Sequence, residues 1–393
     1  MENHGINTRL IEGIHYATGE LVTIEISDGL INKISRNDRS NTTSGNLFVA
    51  PGLIDNQING FAGIDFSGQK ISAEDAIKAF TAILKSGVTT FLPTLITADL
   101  SSMARSLRIL SEVWEQDELF RECVPGFHLE GPFISPEDGF RGCHPLEFIR
   151  KPSVDEFMEL QAASGNKIIQ ITLAPEAEGA MDLIQYCVSA GIVVAMGHTN
   201  ATSTQIREAA DNGVRLSTHL GNGCANMIHR HNNPLWQQLA DDRLTPSIIA
   251  DGLHLLPEEI NVFYKVKGPD NLIITSDIVY LAGMEPGKYS YLGTDVLLTD
   301  SGMLMDTRHN CLAGASFPLV KGVETLMDFT GCSLAQAINM ASRNVARIYD
   351  LGDRGVLAEG KRADLILFEM DRNRINIRKT YINGRLVFDN TER

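Results

Sequence analysis

Between Leu53 and Thr275 eight short apolar runs recur, alternating with helical stretches. They are centred near Leu53-Ile54, Thr90-Leu92, Gly126-His128, Ile169-Thr172, Val193-Ala195, Leu216-Thr218, Ile248-Ala250 and Ile273-Thr275. This repeat constrains the chain more than any other feature, because eight strand–helix units predict an α/β protein closed into a (β/α)8 TIM barrel. An open doubly wound sheet is the alternative, and no glycine-rich phosphate fingerprint follows the first strand to support it. The local grammar agrees. Ser72 with Asp75 forms a capping box ahead of an apolar stripe through Ile77, Phe80, Ile83 and Leu84. Gly87, Gly191 and Gly213 each stand between a helix and the following strand, where a left-handed cap is expected.

The two ends read differently. Leu21–Ser27 alternates, turns at Asp28-Gly29 and returns through Leu30–Ile34. Near the other terminus Ala363–Phe368 is a strand, and an Asn383-Gly384 turn joins Arg378–Ile382 to Arg385–Phe388. Residues 1–50 and 355–393 are therefore expected to form one small β-sandwich domain, around a barrel of residues 51–354.

The polar residues carry the chemistry. Gln57 and Asn59 follow the first strand, His128 and Glu130 end the third, His198 the fifth and His219 the sixth. Asp251 and His254 follow the seventh, and Asp277 the eighth. In a closed barrel these ends share one mouth, so the groups meet despite their separation in sequence. A single histidine after a strand is more often structural than functional, and His4, His15 and His309 are read that way. Two imidazoles and a carboxylate at one rim are harder to explain as structure, since each would need its own buried partner. Glu130, His198 and His219 make a ligand set for one divalent metal, Zn or Fe(II), with a position open for water. Asp277 would take the proton of that water and later deliver it. Its other reading is a carboxylate that orients a metal-binding imidazole.

Composition narrows the partners. The chain of 393 residues carries 34 Lys and Arg against 49 Asp and Glu, a formal charge of −15, which disfavours nucleic acid and anionic membranes. A small anionic substrate stays compatible, because a local arginine or helix N-terminus can bind it. Six scattered cysteines form no C-x-x-C pair and read as thiols of a reducing compartment. With a polar start at Met1–Leu10 and no run long enough for a bilayer, the expected location is cytoplasmic.

Pro51-Gly-Leu-Ile-Asp55, His128-Leu-Glu-Gly-Pro-Phe133, Gly197-His-Thr-Asn-Ala201, Thr218-His-Leu-Gly-Asn222, Ala250-Asp-Gly-Leu-His254 and Ser276-Asp277 stand in this order. Together they resemble the N-acetylglucosamine-6-phosphate deacetylases of the amidohydrolase superfamily, over nearly the whole chain. The resemblance implies metal-dependent hydrolysis of the acetamide of N-acetylglucosamine 6-phosphate to glucosamine 6-phosphate and acetate. It implies that His144 polarises the acetamide carbonyl, with Cys143 beside it at the substrate, and that His254 contacts the sugar. Asn222, Gly223 and Arg230 match phosphate-binding positions, the arginine reaching in from the neighbouring subunit of a homodimer. Leu312, Ala313, Gly314 and Ala315 match a loop that closes over the sugar. Gln57 and Asn59 stand where many amidohydrolases carry His-x-His, and an amide oxygen is the poorer ligand, so any second metal position there is expected to be weak or absent. The loop following Gly223 departs from the family, with His231 where a Glu is usual. Two other readings stay open: a related substrate such as N-acetylgalactosamine 6-phosphate, or a non-catalytic relative used for binding.

Overall fold

The computed structural model describes residues 8–37, 47–68, 71–307 and 311–391. His4 and His309 lie outside these residues. Eight parallel strands follow one another around the central sheet in chain order: β1 Leu53–Ile58, β2 Val88–Ile96, β3 Phe127–Glu130, β4 Ile168–Leu173, β5 Val193–Met196, β6 Leu216–Ser217, β7 Thr245–Ile249 and β8 Ile273–Thr275. Each overlaps the run expected from sequence. The ring closes just beyond β8, where the Asp277 N–H donates to the Gln57 carbonyl (3.1 Å) and the Asn59 N–H to that of Ile278 (2.9 Å).

The helices form for the reasons the sequence supplies. Ser72 caps Ala73–Leu84 with the reciprocal Asp75 bond in place, so two otherwise orphaned N–H groups are satisfied. Gly87, Gly191 and Gly213 all take positive φ (83°, 75° and 99°), which lets the chain leave each helix and enter the next strand. The helix faces bury against the outside of the barrel. Phe91 of β2 stands among Phe66, Phe80 and Phe120, with ring centroids 6.1–6.5 Å away, and all four rings are buried.

The entry end of the barrel is plugged by apolar residues. Ile54, Leu216 and Ile273 from strand starts pack with Val345 and Ala346 of the helix Arg343–Ile348. Polar groups also occupy the middle of the barrel. His128 shows the middle layer: its Nδ1 meets Thr94 (3.2 Å), its Nε2 meets Thr172 (2.8 Å), and burial lowers its pKa to about 4.

Both termini supply one small β domain. Its sheet has seven strands in the order Arg385–Asp389, Arg374–Ile382, Leu365–Asp371, Phe48–Pro51, Arg9–His15, Leu21–Ser27, Leu30–Arg36. The sheet curls until its two arms face each other over a small core that includes Ile24, Ile31, Leu365 and Tyr381. The Asp28-Gly29 and Asn383-Gly384 turns have positive φ at both positions, the geometry that two-residue hairpins favour. His15 accepts from the N–H groups of Ala17 and Thr18 (3.2 and 3.3 Å), a local turn role.

One element was not foreseen. Gly287–Tyr291, Thr294–Leu298, Leu304–Asp306 and Cys311–Leu312 form a separate four-stranded sheet inserted after β8. Leu292-Gly293 turns its first hairpin with φ of 47° and 78°. Among the described residues no helix is long and apolar enough to cross a membrane.

Phe91→Ala would leave a void among three aromatic rings. We expect it to cost about 3–5 kcal/mol, read as a lower urea midpoint with the slope preserved. A loss below about 1 kcal/mol would show that this cluster is not tightly packed.

Candidate metal centre and substrate cavity

At the exit end of the barrel Asn59, Glu130, His198, His219, His254 and Asp277 all border one cavity of about 680 Å³. That is ample for a phosphorylated sugar. The backbone is strained where three of these side chains are aimed inward. His198, His219 and Asp277 have φ of 50°, 30° and 52°, a region L-residues avoid at a cost of order 1–3 kcal/mol each.

Three donor atoms converge. His219 Nε2 lies 2.9 Å from Glu130 Oε1 and 3.1 Å from His198 Nε2, and His198 Nε2 is 3.3 Å from the same carboxylate oxygen. Tetrahedral ligands 2.0–2.2 Å from one ion stand about 3.3–3.6 Å apart, so the trio is close to the spacing a shared cation needs. His144 is also nearby, its ligand atom within 4.8 Å of those of Glu130 and His198. Its Nε2, however, is 3.9 Å from Glu130, which puts it one step outside the tighter trio.

The protonation chemistry fits a cation. His198 Nδ1 is 2.9 Å from the Phe140 carbonyl, an acceptor, so that nitrogen carries the hydrogen and Nε2 presents a lone pair. Burial pushes Glu130 up, but hydrogen bonds and charge from His198 and His219 hold it well below the usual carboxylate range. Burial lowers His219, and the hydrogen bond and charge of Glu130 outweigh it, raising the imidazole to about 8. Positive charge is favoured at this point, and a divalent ion supplies it.

Asp277 is held from the side. The amides of Gln57 and Asn59 both donate to its Oδ1, at 2.9 and 2.7 Å. Burial and the charge of Glu130 raise Asp277 to about 6, against the pull of His219, Asn59 and His254. The amide nitrogens of Gln57 and Asn59 are thus committed to the carboxylate, while their oxygens are buried without a protein partner.

The remaining expected residues fall as follows. His144 is buried, its Nδ1 2.7 Å from the Thr97 hydroxyl, and burial with the neighbouring His198 charge lowers it to about 3. His254 meets Asp251 Oδ2 through Nδ1 (2.7 Å), and Asp251 Oδ1 accepts the N–H groups of Leu253 and His254. Cys143, Asn222, Gly223, Leu312, Ala313 and Gly314 border the cavity. Ala315 lies behind it, its carbonyl accepting from the Val279 N–H (3.0 Å). Arg230 is exposed and does not border the cavity of its own chain. A Cβ on Gly223 would stand 2.8 Å from His198 Nδ1, so only glycine lets this loop lie against the imidazole.

Sequence reasoning missed Thr97, Arg141, Tyr291, Thr294 and Asp306. Thr97 stands beside His144, and the others border the cavity. Tyr291, Thr294 and Asp306 belong to the unforeseen insert. The only signal for it was the alternation on either side of Leu292-Gly293.

The sequence profile of the amidohydrolase family matches residues 48–387. The chain is similar to the N-acetylglucosamine-6-phosphate deacetylase of Bacillus subtilis, 30% identical with 94% of this chain and 93% of the relative covered. It is 32% identical to the enzyme of that name from Lysinibacillus sphaericus, over 82% of this chain and 81% of the relative. An N-acetylgalactosamine-6-phosphate deacetylase of Escherichia coli O157:H7 is 30% identical, with 93% and 94% covered. Among solved structures, the N-acetylglucosamine-6-phosphate deacetylase of Thermotoga maritima superimposes with a TM-score of 0.85 at 29% identity, covering 97% of this chain and all of that one. A variant of the Mycobacterium smegmatis enzyme in complex with N-acetyl-D-glucosamine-6-phosphate gives 0.86 at 26% identity, with 97% and 99% covered.

Metal analysis of the purified protein is expected to find a single divalent ion per chain. His219→Ala should lose most of it, whereas Gln57→Ala and Asn59→Ala should retain it. An ion kept by the histidine variant, or lost by the amide variants, would contradict this division of labour.

Proposed function

The chain belongs to the amidohydrolase family, and from that premise we propose that it hydrolyses the acetamide of N-acetylglucosamine 6-phosphate, releasing acetate and glucosamine 6-phosphate. The observation that carries the proposal is the convergence of Glu130, His198 and His219 beside Asp277 in a cavity of sugar-phosphate size. Relatives that act on this sugar support the substrate. The non-catalytic reading fits poorly with a chain that keeps both the donor trio and the carboxylate. The galactosamine epimer is the second reading, favoured by the similarity to the Escherichia coli enzyme.

Glu130, His198 and His219 would hold one divalent ion, Zn or Fe(II), whose ligand preferences match a carboxylate and two imidazoles. Such an ion lowers the pKa of water at its open position and polarises a carbonyl. Asp277, raised to about 6, can accept the proton of the attacking water and return it to the departing amine. Gln57 and Asn59 fix the carboxylate by occupying Oδ1. The Thr97 hydroxyl stands 2.7 Å from Nδ1 of neutral His144, and as its donor would leave an Nε2–H to meet the acetamide oxygen as charge develops there. His254, oriented by Asp251, would contact the sugar. Asn222 and Gly223 would meet the phosphate, and Cys143, Leu312, Ala313 and Gly314 would border the ring.

Arg230 faces solvent, so its role requires a second copy of the chain. Met227 and Trp236 are exposed apolar residues within a few positions of it, and a homodimer face would cover such residues. Cys123, Cys187 and Cys332 are buried thiols outside any disulfide, which suits the cytoplasm.

Acetate release from N-acetylglucosamine 6-phosphate, N-acetylgalactosamine 6-phosphate and their unphosphorylated forms tests the assignment. We expect the glucosamine phosphate to react fastest, and equal rates across the panel would reject it. Asp277→Asn should lower kcat by about 10²–10⁴-fold with the metal retained. A variant of full turnover would remove Asp277 from proton transfer. Mixing Asp277→Asn and Arg230→Ala chains, each weak alone, should restore activity. One site of each mixed dimer then holds both intact residues, and no recovery would rule out a shared site.

A further inference from the structure

An acidic chain that takes a phosphorylated sugar needs positive charge at the phosphate end of its cavity. Among the described residues Arg141 is the only lysine or arginine that borders the cavity. The proposed function does not use it.

Its surroundings are specific. The loop that carries Arg141 lies directly on the loop that carries Asn222 and Gly223: a Cβ on Gly139 would stand 2.7 Å from the Ala225 Cα. Arg141 and Asn222 each precede a glycine in left-handed conformation, Gly142 with φ 59° and Gly223 with φ 58°. Both glycines abut the same imidazole, since their Cβ atoms would lie 3.1 Å and 2.8 Å from atoms of His198. The two side chains therefore leave paired loops at one side of the metal centre. Both have donors to spare. Arg141 Nε and Asn222 Nδ2 are buried without a hydrogen-bond partner. Among the described residues the guanidinium's hydrogen-bond partner is the Asp138 carboxylate, through Nη2, and that aspartate side chain is 90% exposed. An exposed partner of this kind holds an arginine weakly and can be displaced. The loop is meanwhile fixed to the reacting end of the cavity, because the His144 N–H donates to the Arg141 carbonyl (3.2 Å).

We infer that Arg141 is the chain's own specificity residue for the phosphate monoester dianion of the substrate, acting with Asn222 from within the subunit. This rests on the phosphorylated-sugar reading and deepens it. A guanidinium offers a planar fork to phosphate oxygens and remains charged throughout. A phosphate that takes the place of Asp138 at Nη2 would also give the two orphaned donors, Arg141 Nε and Asn222 Nδ2, an acceptor as substrate binds. A second arginine, Arg230 of the neighbouring copy, would complete the same anion site without being its sole cation.

The test compares kcat/KM for N-acetylglucosamine 6-phosphate and N-acetylglucosamine in metal-loaded wild type, Arg141→Ala and Arg141→Lys. The preference for the phosphorylated sugar should fall roughly 10- to 100-fold in Arg141→Ala, mainly through KM, and recover in part in Arg141→Lys. A ratio within about twofold of wild type would overturn the inference. So would an equal loss for both sugars, which marks a residue that only shapes the loop. A wild-type enzyme with no preference for phosphate would overturn the substrate reading itself, and this inference with it, before any variant is compared.

Discussion

Two imidazole nitrogens 3.1 Å apart, both within 3.3 Å of one carboxylate oxygen, pose an electrostatic problem that a proton solves poorly. His198 already spends its hydrogen on the Phe140 carbonyl, and Glu130 has only lone pairs to offer. A single N–H on His219 can point at only one of them. A divalent ion satisfies all three at once, and among buried groups that interaction is strong. The rest of the site follows from this constraint. Strained backbone at His198, His219 and Asp277 is tolerated because the barrel, anchored by its buried helices and plugged floor, overdetermines where these residues stand.

The barrel seam connects this centre to the Asp277 carboxylate. Backbone hydrogen bonds that close the ring join Gln57 and Asn59 to the segment of Asp277 and Ile278, and the side chains of the same two residues grip the Asp277 carboxylate. Closure of the fold and placement of the carboxylate are therefore one event. At Gln57 and Asn59 amides provide donors, and a donor serves a carboxylate better than it serves a cation.

Around this rigid floor the walls are loops. The 138–144 and 221–226 loops press on each other and on His198, so glycines at 139, 142 and 223 are set by close approach. The insert of residues 287–312 brings Tyr291, Thr294 and Asp306 to the cavity. Chemistry thus rests on strands and selectivity on loops, the usual division in a fold whose barrel is shared by many reactions.

Much of this was legible in the sequence because it is local or periodic. Eight apolar runs, their glycine caps and two glycine-containing hairpins each follow from backbone sterics within a few residues. Polar residues at strand ends were readable as a site because barrel closure sends every strand end to one mouth. The hydrogen-bond partners were not legible. Nothing in the spacing says that Gln57 and Asn59 donate to the same oxygen of Asp277, that Thr97 stands behind His144, or that the loop of Arg141 packs on the loop of Asn222. Those contacts join residues up to 220 positions apart, and their geometry depends on loop packing that no period encodes. The sequence by itself determined the barrel and the strand ends that bear the buried imidazoles and carboxylates. The tertiary structure alone decided which donor meets which acceptor, because hydrogen bonds and charge interactions depend on distances of a few tenths of an ångström that only the packed chain sets.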